Sequence, residues 1–166
     1  MPYELHPRIP VEGVSLRERW GPRYDYAVAM YQRIEEECEA VGLPFRRPER
    51  IPNTRRALET AEYVRRHEPA AFPALDRALF DAHFVEGRFI GDPDVLDELV
   101  TAAGADAAAV RTAIEDGAMA GEVQRSMEEA GEVGVTGTPS WLIAGKLLIP
   151  GVLPRHLFER AVSRLG

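Results

Sequence analysis

Cysteine is almost absent from this chain of 166 residues, which has a single thiol, Cys38. One cysteine excludes an internal disulfide, a Cys-x-x-Cys redox pair and a zinc site with four cysteine ligands. Long hydrophobic runs are also missing, since runs such as 147–149 fall far short of the ~20 apolar residues of a membrane helix. The N-terminus has no basic start followed by an apolar stretch, as a secretory signal would have. We therefore expect a cytoplasmic protein with no membrane partner.

Positive charge is scarce as well. The sequence has 20 Lys and Arg against 27 Asp and Glu, a net charge of −7. An acidic chain without a basic run is poorly suited to bind nucleic acid, so we expect no such partner. The hydrophobic share of 45% and the charged share of 28% are typical of one soluble globular domain.

Helical periodicity dominates residues 15–130. A short helical turn is predicted over 15–20 and a long helix between Pro22 and Gly42, where apolar residues recur at helical spacing. Further helices should begin at Asn53, near Pro73, at Asp92 and at Asp106, because Asn and Asp cap free amides and proline suits a first turn. The predicted inward-facing residues are Tyr24, Ala27, Val28, Tyr31, Ile34, Cys38, Val41, Leu58, Ala61, either Val64 or Tyr63, Val95, Leu96, Leu99, Val100, Val110, Ala113 and Ile114.

Strand signals are confined to the two ends of the chain. Tyr3–Leu5 is predicted as a short strand. Two apolar runs, 140–143 and 146–149, are separated by Ala144-Gly145 and predict a β-hairpin, although alanine is unusual in a turn that needs positive φ. A last helix should follow Leu153-Pro154. Its apolar face would consist of Leu157, Phe158, Ala161, Val162 and Leu165.

Four stretches, in this order along the chain, carry a family resemblance. They are Pro-Tyr-Glu-Leu-His-Pro at 2–7, Pro-Asn-Thr at 52–54, Ala-His-Phe-Val-Glu-Gly-Arg-Phe-Ile-Gly-Asp at 82–92, and Gly-Val-Thr-Gly-Thr-Pro-Ser-Trp-Leu-Ile at 134–143. Together with the hairpin and closing helix, this set resembles the DsbA family of thioredoxin-fold proteins. The stretch at 82–92 looks like that of the branch with FrnE and the dithiol–disulfide isomerases.

The resemblance implies an α/β fold, an incomplete thioredoxin-like fold with a large all-helical insertion, a β-hairpin and a C-terminal helix. Residues 1–10 and 131–166 would form the thioredoxin-like core, and 11–130 the insertion. The Thr138-Pro139 bond would be cis, with Gly137, Thr138 and Pro139 as substrate-binding residues. A peptide or thiol substrate would pair there like an added strand. A purely structural turn is an equally weighted alternative.

The sequence departs from the family at its reactive end. Family members begin with a strand and a helix opened by Cys-x-x-Cys, or by Ser in the glutathione-using relatives, and this sequence has neither. We therefore assign no catalytic residue, cofactor or metal site. Three functions stay open: a DsbA/FrnE-type thiol–disulfide oxidoreductase relative without dithiol activity in this chain, a non-catalytic thiol- or peptide-binding module, and a glutathione-dependent relative similar to 2-hydroxychromene-2-carboxylate isomerase. The Glu86-Gly87 stretch favours the first lineage.

The missing strand is central in the family's sheet order, 2-1-3-4. Its absence would leave a gap of about twice the ~4.8 Å strand spacing between 3–5 and 140–143. Each buried backbone group without a partner costs roughly 1–3 kcal/mol. Either the N-terminal strand moves into the gap, or another copy donates a strand, or the natural protein begins further upstream. We expect self-association, with a homodimer completing the sheet.

The remaining candidate residues have structural interpretations. Cys38 is expected to be a buried apolar side chain, Asn53 a helix cap and Trp141 a core residue. The Glu35–Glu39 run predicts a solvated helix face, and the histidines, which are His6, His67, His83 and His156, predict surface or cap positions. One basic cluster comprises Arg46, Arg47, Arg50, Arg55 and Arg56. We expect these arginines to pair with the surplus acids, the alternative being an anion such as a glutathione carboxylate.

Overall fold

The computed structural model describes residues 2–164 and shows a mostly helical α/β fold with two small sheets and a C-terminal helix. The predicted fold class, helices and hairpin are confirmed. In chain order the elements are β1 (Val14–Ser15), α1 (Leu16–Trp20), a 3-10 turn (Gly21–Arg23), α2 (Tyr24–Ala40), β2 (Arg50–Ile51), α3 (Arg55–His67), α4 (Phe72–Phe84), α5 (Pro93–Ala102), α6 (Ala107–Glu115), α7 (Ala120–Glu132), β3 (Ser140–Ile143), β4 (Leu147–Pro150) and α8 (Arg155–Ser163).

Side-chain caps start several of these helices where the sequence predicts them. The Asp92 carboxylate accepts a hydrogen bond from the Asp94 amide, and the Asp106 carboxylate accepts one from the Ala109 amide. Each cap satisfies one of the amides that a first helical turn leaves free. Ser15 starts α1 with a reciprocal bond to Glu18, in the arrangement called a capping box.

The hydrophobic core lies where α3 packs against α4, α5, α6 and α7. Val64, Leu75 and Val100 are fully buried at its centre, and Leu96 is 2% exposed. Burying each such side chain contributes roughly 1.5–3 kcal/mol. The core cluster is Ala57, Val64, Leu75, Leu79, Ala82, Ile90, Leu96, Leu99, Val100, Val110, Ile114 and Met119.

Both sheets are antiparallel pairs. In β3–β4, Trp141 lies opposite Ile149, and the Lys146 amide donates to the Ile143 carbonyl at 3.0 Å across the predicted turn. The β1–β2 pair was not predicted, because two residues per strand give no alternating pattern. Phe89 closes over this pair so tightly that a Cβ on Gly13 would meet its ring at 2.8 Å.

The prediction of a strand at Tyr3–Leu5 is wrong, because this segment bonds to helices instead of a sheet. The Ser126 hydroxyl donates to the Pro2 carbonyl at 2.7 Å, and the Glu4 amide lies 2.9 Å from the Met127 sulfur. Buried Glu4 also lies 3.5 Å from the guanidinium of Arg55. The N-terminal segment therefore packs on α7 and α3 and does not enter the gap beside β3.

The predicted inner faces of α2 and α8 are only partly covered. In α2 only Ala27 is buried, and Val41 just beyond it is 69% exposed. In α8 no described residue is buried, with Leu157 38% and Val162 42% exposed. The two-stranded sheet next to α8 offers too little surface to cover a helix face. Leu165 lies outside the described residues.

Across residues 2–164 we find no helix with the length and apolar character needed to cross a membrane.

Candidate functional site

The segment 133–139, here called the proline loop, joins α7 to β3. The chain turns away from α7 at Gly134, whose φ of +85° lies in the left-handed region. The Val135 amide then donates a hydrogen bond to the Ala130 carbonyl at 2.8 Å. A glycine suits this position because other residues rarely adopt such a φ. The loop therefore has a defined start on the last turn of α7.

The other end of the proline loop is tied to the hairpin. The Thr138–Pro139 peptide bond is cis, as the resemblance implies. The Ser140 hydroxyl donates to the Gly137 carbonyl at 2.6 Å, and the Pro139 carbonyl accepts from the Gly151 amide at 2.8 Å. Thr138 and Pro139 are exposed and Gly137 is half-buried. The three predicted substrate-binding residues are thus adjacent and fixed by hydrogen bonds; their contact with a substrate stays a prediction.

Strand β3 has one paired side and one unpaired side among the described residues. The Pro139 carbonyl points toward β4, since it accepts the Gly151 amide. In an antiparallel ladder every second residue turns its backbone groups to the same neighbouring strand, so those of Trp141 and Ile143 also point toward β4. The N–H and C=O groups of Ser140 and Leu142 then point away from β4. We call this row the free edge of β3. It begins directly after the proline loop and can accept one more extended chain.

Trp141 is not a core residue, which corrects the prediction from sequence. Its side chain is 49% exposed, and its ring packs edge-on against Phe158 of α8, with centroids 5.3 Å apart. Its neighbour Leu142 is 44% exposed. As successive residues of a strand, these two side chains point to opposite faces of the two-stranded sheet, and neither face is fully covered by another layer. Both apolar groups therefore flank the free edge.

Cys38 lies near the end of α2 and is half-buried. Its carbonyl accepts the amides of Val41 and Leu43, and α2 packs chiefly against α1 and the 3-10 turn. The prediction that Cys38 is a buried apolar side chain is therefore only partly correct, because the side chain is half-buried. Within residues 2–164, no group of three or more His, Cys, Asp or Glu side chains is placed to hold a metal ion.

The predicted basic cluster separates into two places. Arg55 lies 2.6 Å from the Glu59 carboxylate and donates to the Ala120 carbonyl, and Arg56 lies 3.2 Å from Glu115. These two arginines pair with surplus acids, as expected. The other three, Arg46, Arg47 and Arg50, line a cleft with Arg88 and His83.

The remaining candidates have varied surroundings. His67 and His156 are exposed, as predicted. His83 and His6 are half-buried, and burial lowers the pKa of both imidazoles. The cap residue of α3 is Thr54 and not Asn53 as predicted, although the Asn53 side-chain oxygen accepts the Arg55 amide of the first turn at 2.9 Å. The residues of the Glu35–Glu39 run are exposed apart from half-buried Cys38.

The buried carboxylate of Glu62 on α3 was not predicted from the sequence. Glu62 is 4% exposed and lies 2.6 Å from Arg65 and 2.5 Å from Arg66. Arg66 also reaches Glu122 of α7 at 2.5 Å, so the chain of charges joins α3 to the helix that leads into the proline loop. Hydrogen bonds from Arg65 and then Arg66 lower the pKa of Glu62 to about 2. Its two arginines follow at helical spacing, which is the signal that could have revealed it.

Comparison with known proteins gives matches along nearly the whole chain. The sequence model of the DSBA-like thioredoxin domain family matches residues 1–163. The Bacillus subtilis protein called "Uncharacterized protein YwbO" is 28% identical over 175 residues, spanning 98% of this chain and 79% of that protein. The crystal structure of the probable DsbA oxidoreductase SCO1869 from Streptomyces coelicolor is 26% identical, with a TM-score of 0.86, and the match covers 98% of this chain and 72% of that one.

Proposed function

The chain belongs to the DSBA-like thioredoxin domain family, and we propose that it binds extended thiol or peptide segments without itself performing dithiol exchange. Within the family we place it with the FrnE-like thiol–disulfide oxidoreductases. The stretches 52–54 and 82–92 support that placement by resemblance. The solved relative's description as a probable DsbA oxidoreductase supports the choice of chemistry for the family.

The free edge of β3 is the observation that carries the binding proposal. An extended peptide placed along it would exchange main-chain hydrogen bonds with Ser140 and Leu142. The exposed Trp141 and Leu142 side chains add apolar surface beside those bonds. Main-chain pairing accepts many sequences, so the proposed ligand is a class of extended segments and not one peptide.

Dithiol exchange needs two sulfurs in the same polypeptide. The first attacks the substrate disulfide and forms a mixed disulfide, and the second releases the reduced substrate while the pair becomes oxidised. With Cys38 as its one cysteine, this sequence supplies no second sulfur. We therefore infer that the 166-residue polypeptide does not turn over disulfide substrates by dithiol exchange.

Binding is tested by fluorescence anisotropy with a labelled Val/Thr/Ser peptide of about ten residues containing one cysteine. The matched probe has the same sequence with alternate amides N-methylated, which removes the hydrogen-bond donors. Leu142→Pro deletes an outward N–H while leaving the bonds to β4, and Pro150 already occupies such an outward position in β4. Leu142→Ala, which keeps the N–H, is the control variant.

The proposal predicts saturable binding of the unmodified peptide and loss of binding by the N-methylated one. It predicts that Leu142→Pro weakens binding about tenfold, which corresponds to ~1.4 kcal/mol, while Leu142→Ala stays within about threefold of the parent. Equal binding of both peptides, or parental affinity in Leu142→Pro, would contradict the proposal. In the insulin reduction assay, the rate with dithiothreitol and the chain should equal the rate with dithiothreitol alone. A clear acceleration by the chain would overturn the inference that it performs no dithiol exchange.

A further inference from the structure

A second site lies away from the proline loop in sequence, between the segment 46–50 and the segment 83–89. The cleft has a volume of about 120 Å³. Its lining includes Arg46, Arg47, Arg50 and Arg88, with His83 at one side and Glu49 as the one acidic lining residue. We call it the arginine cleft. Counting Glu86 and Glu98, which pair with Arg88 from outside the lining, four guanidinium groups meet three carboxylates, so the cleft keeps a net positive charge in a chain of net charge −7.

The walls of the arginine cleft are held by backbone hydrogen bonds. The Arg46 amide donates to the Phe84 carbonyl at 2.6 Å, and the Arg88 amide donates to the Ala82 carbonyl at 2.7 Å. Gly87 has a φ of +71°, and a Cβ there would meet the Arg46 guanidinium carbon at 3.2 Å. The arginines therefore project from a fixed frame, which lowers the entropic cost of gathering them around a ligand.

Much of this positive charge is not neutralised by the protein. Across residues 2–164, no carboxylate oxygen lies within 4.0 Å of the guanidinium groups of Arg47 or Arg50. Arg50 donates instead to the backbone carbonyls of Glu12 and Gly13 and lies over the ring of Phe89, 5.8 Å from its centroid. Backbone carbonyls carry only partial charges, and the Glu18 carboxylate attracts Arg50 only from beyond contact distance, so Arg50 can still attract an anion.

The ion pairs around the cleft differ in exposure. Arg46 lies 3.8 Å from Glu49, and their side chains are 59% and 86% exposed. Arg88, which is 29% exposed, pairs with Glu98 and, at 3.8 Å, with Glu86, whose side chains are 69% and 53% exposed. The Arg46–Glu49 pair, exposed at both partners, is worth about 0–1 kcal/mol, so an incoming anion can displace Glu49 at little cost.

We propose that the arginine cleft binds a compact oxyanion, a phosphate or carboxylate group of a small molecule. Guanidinium groups present a planar fork of donors that fits both kinds of oxygen cluster. The volume of about 120 Å³ is enough to admit such a group. His83, half-buried against Phe84, completes one wall of the cleft.

The proposal is tested by isothermal titration calorimetry of the intact chain in a chloride buffer of constant ionic strength. One arm uses inorganic phosphate and the other uses succinate, so that the two sources of oxyanion are compared directly. Arg47→Gln and, separately, Arg88→Gln remove cleft charges. Arg155→Gln removes a charge from α8 whose side chain is 92% exposed, and it serves as the control.

We expect saturable binding in at least one arm, and the arm that saturates identifies the source. Each cleft variant should weaken that binding about tenfold, a change of ~1.4 kcal/mol, and the control should leave it unchanged. Thermal melts confirm that each variant is folded before it is titrated. Absence of saturation in both arms would overturn the proposal, because it indicates that the cleft binds neither anion. Equal weakening by the control would also overturn it, because it indicates a general electrostatic attraction of anions to the protein.

Discussion

Replacing Glu62 with glutamine tests the charge network that fixes α3 to α7. The Glu62 carboxylate is buried between Arg65 and Arg66, and Arg66 continues to Glu122 on α7. Glutamine keeps the size and one acceptor of the side chain and removes its charge. The substitution therefore isolates the electrostatic part of the network from its packing.

The expected cost follows from the pKa of Glu62, which lies at about 2 in the fold against an ordinary value of 4.5. At ~1.4 kcal/mol for each pH unit, that difference stabilises the fold by about 3 kcal/mol at neutral pH. The Glu62 carboxyl therefore binds a proton less tightly in the folded chain than in the unfolded chain. The stabilisation is therefore complete above pH 4.5 and is lost as the pH falls toward 2.

Urea unfolding at neutral and acid pH measures this effect. Glu62→Gln should lower the free energy of unfolding by about 3 kcal/mol at neutral pH and by about 1 kcal/mol near pH 3. Glu37→Gln, which changes an exposed glutamate on α2, is the matched control and should change it by less than about 0.5 kcal/mol. A Glu62→Gln effect of the same size at both pH values would refute the electrostatic reasoning.

The two remaining predictions concern the hairpin turn and the single thiol. Ala144 has a φ of +52°, which asparagine tolerates better, so Ala144→Asn should raise the free energy of unfolding by about 0.5–1 kcal/mol; a lower value would contradict this. Cys38→Ala should leave peptide binding and anion binding unchanged. Native Cys38 should react slowly with Ellman's reagent, and fast reaction in the native state would show that its structural role is misassigned.

Features set by local chemistry were predictable from the sequence. Asp92 and Asp106 start helices because a carboxylate can cap free amides within two or three residues, whatever the rest of the fold does. The hairpin turn at Ala144-Gly145 is equally local. The proposed substrate-binding residues, in contrast, came from the resemblance, since nothing in the composition of the proline loop indicates a binding role.

Features that depend on distant partners were not predictable. The faces of α2 and α8 have helical spacing, but spacing does not reveal whether another layer is present to cover them. Trp141 is exposed for the same reason. The arginine cleft combines residues 46–50 with 83–89, and only the folded chain shows that they share one space.

Hydrogen exchange at the four amides of β3 tests the central claim most directly. In the free chain, the amides of Trp141 and Ile143 should be protected by β4 and those of Ser140 and Leu142 should exchange freely. Addition of the unmodified Val/Thr/Ser peptide should protect Ser140 and Leu142, and the N-methylated peptide should not. Protection of these two amides in the free chain, or continued fast exchange with saturating peptide, would contradict the account of β3 as a peptide-binding edge.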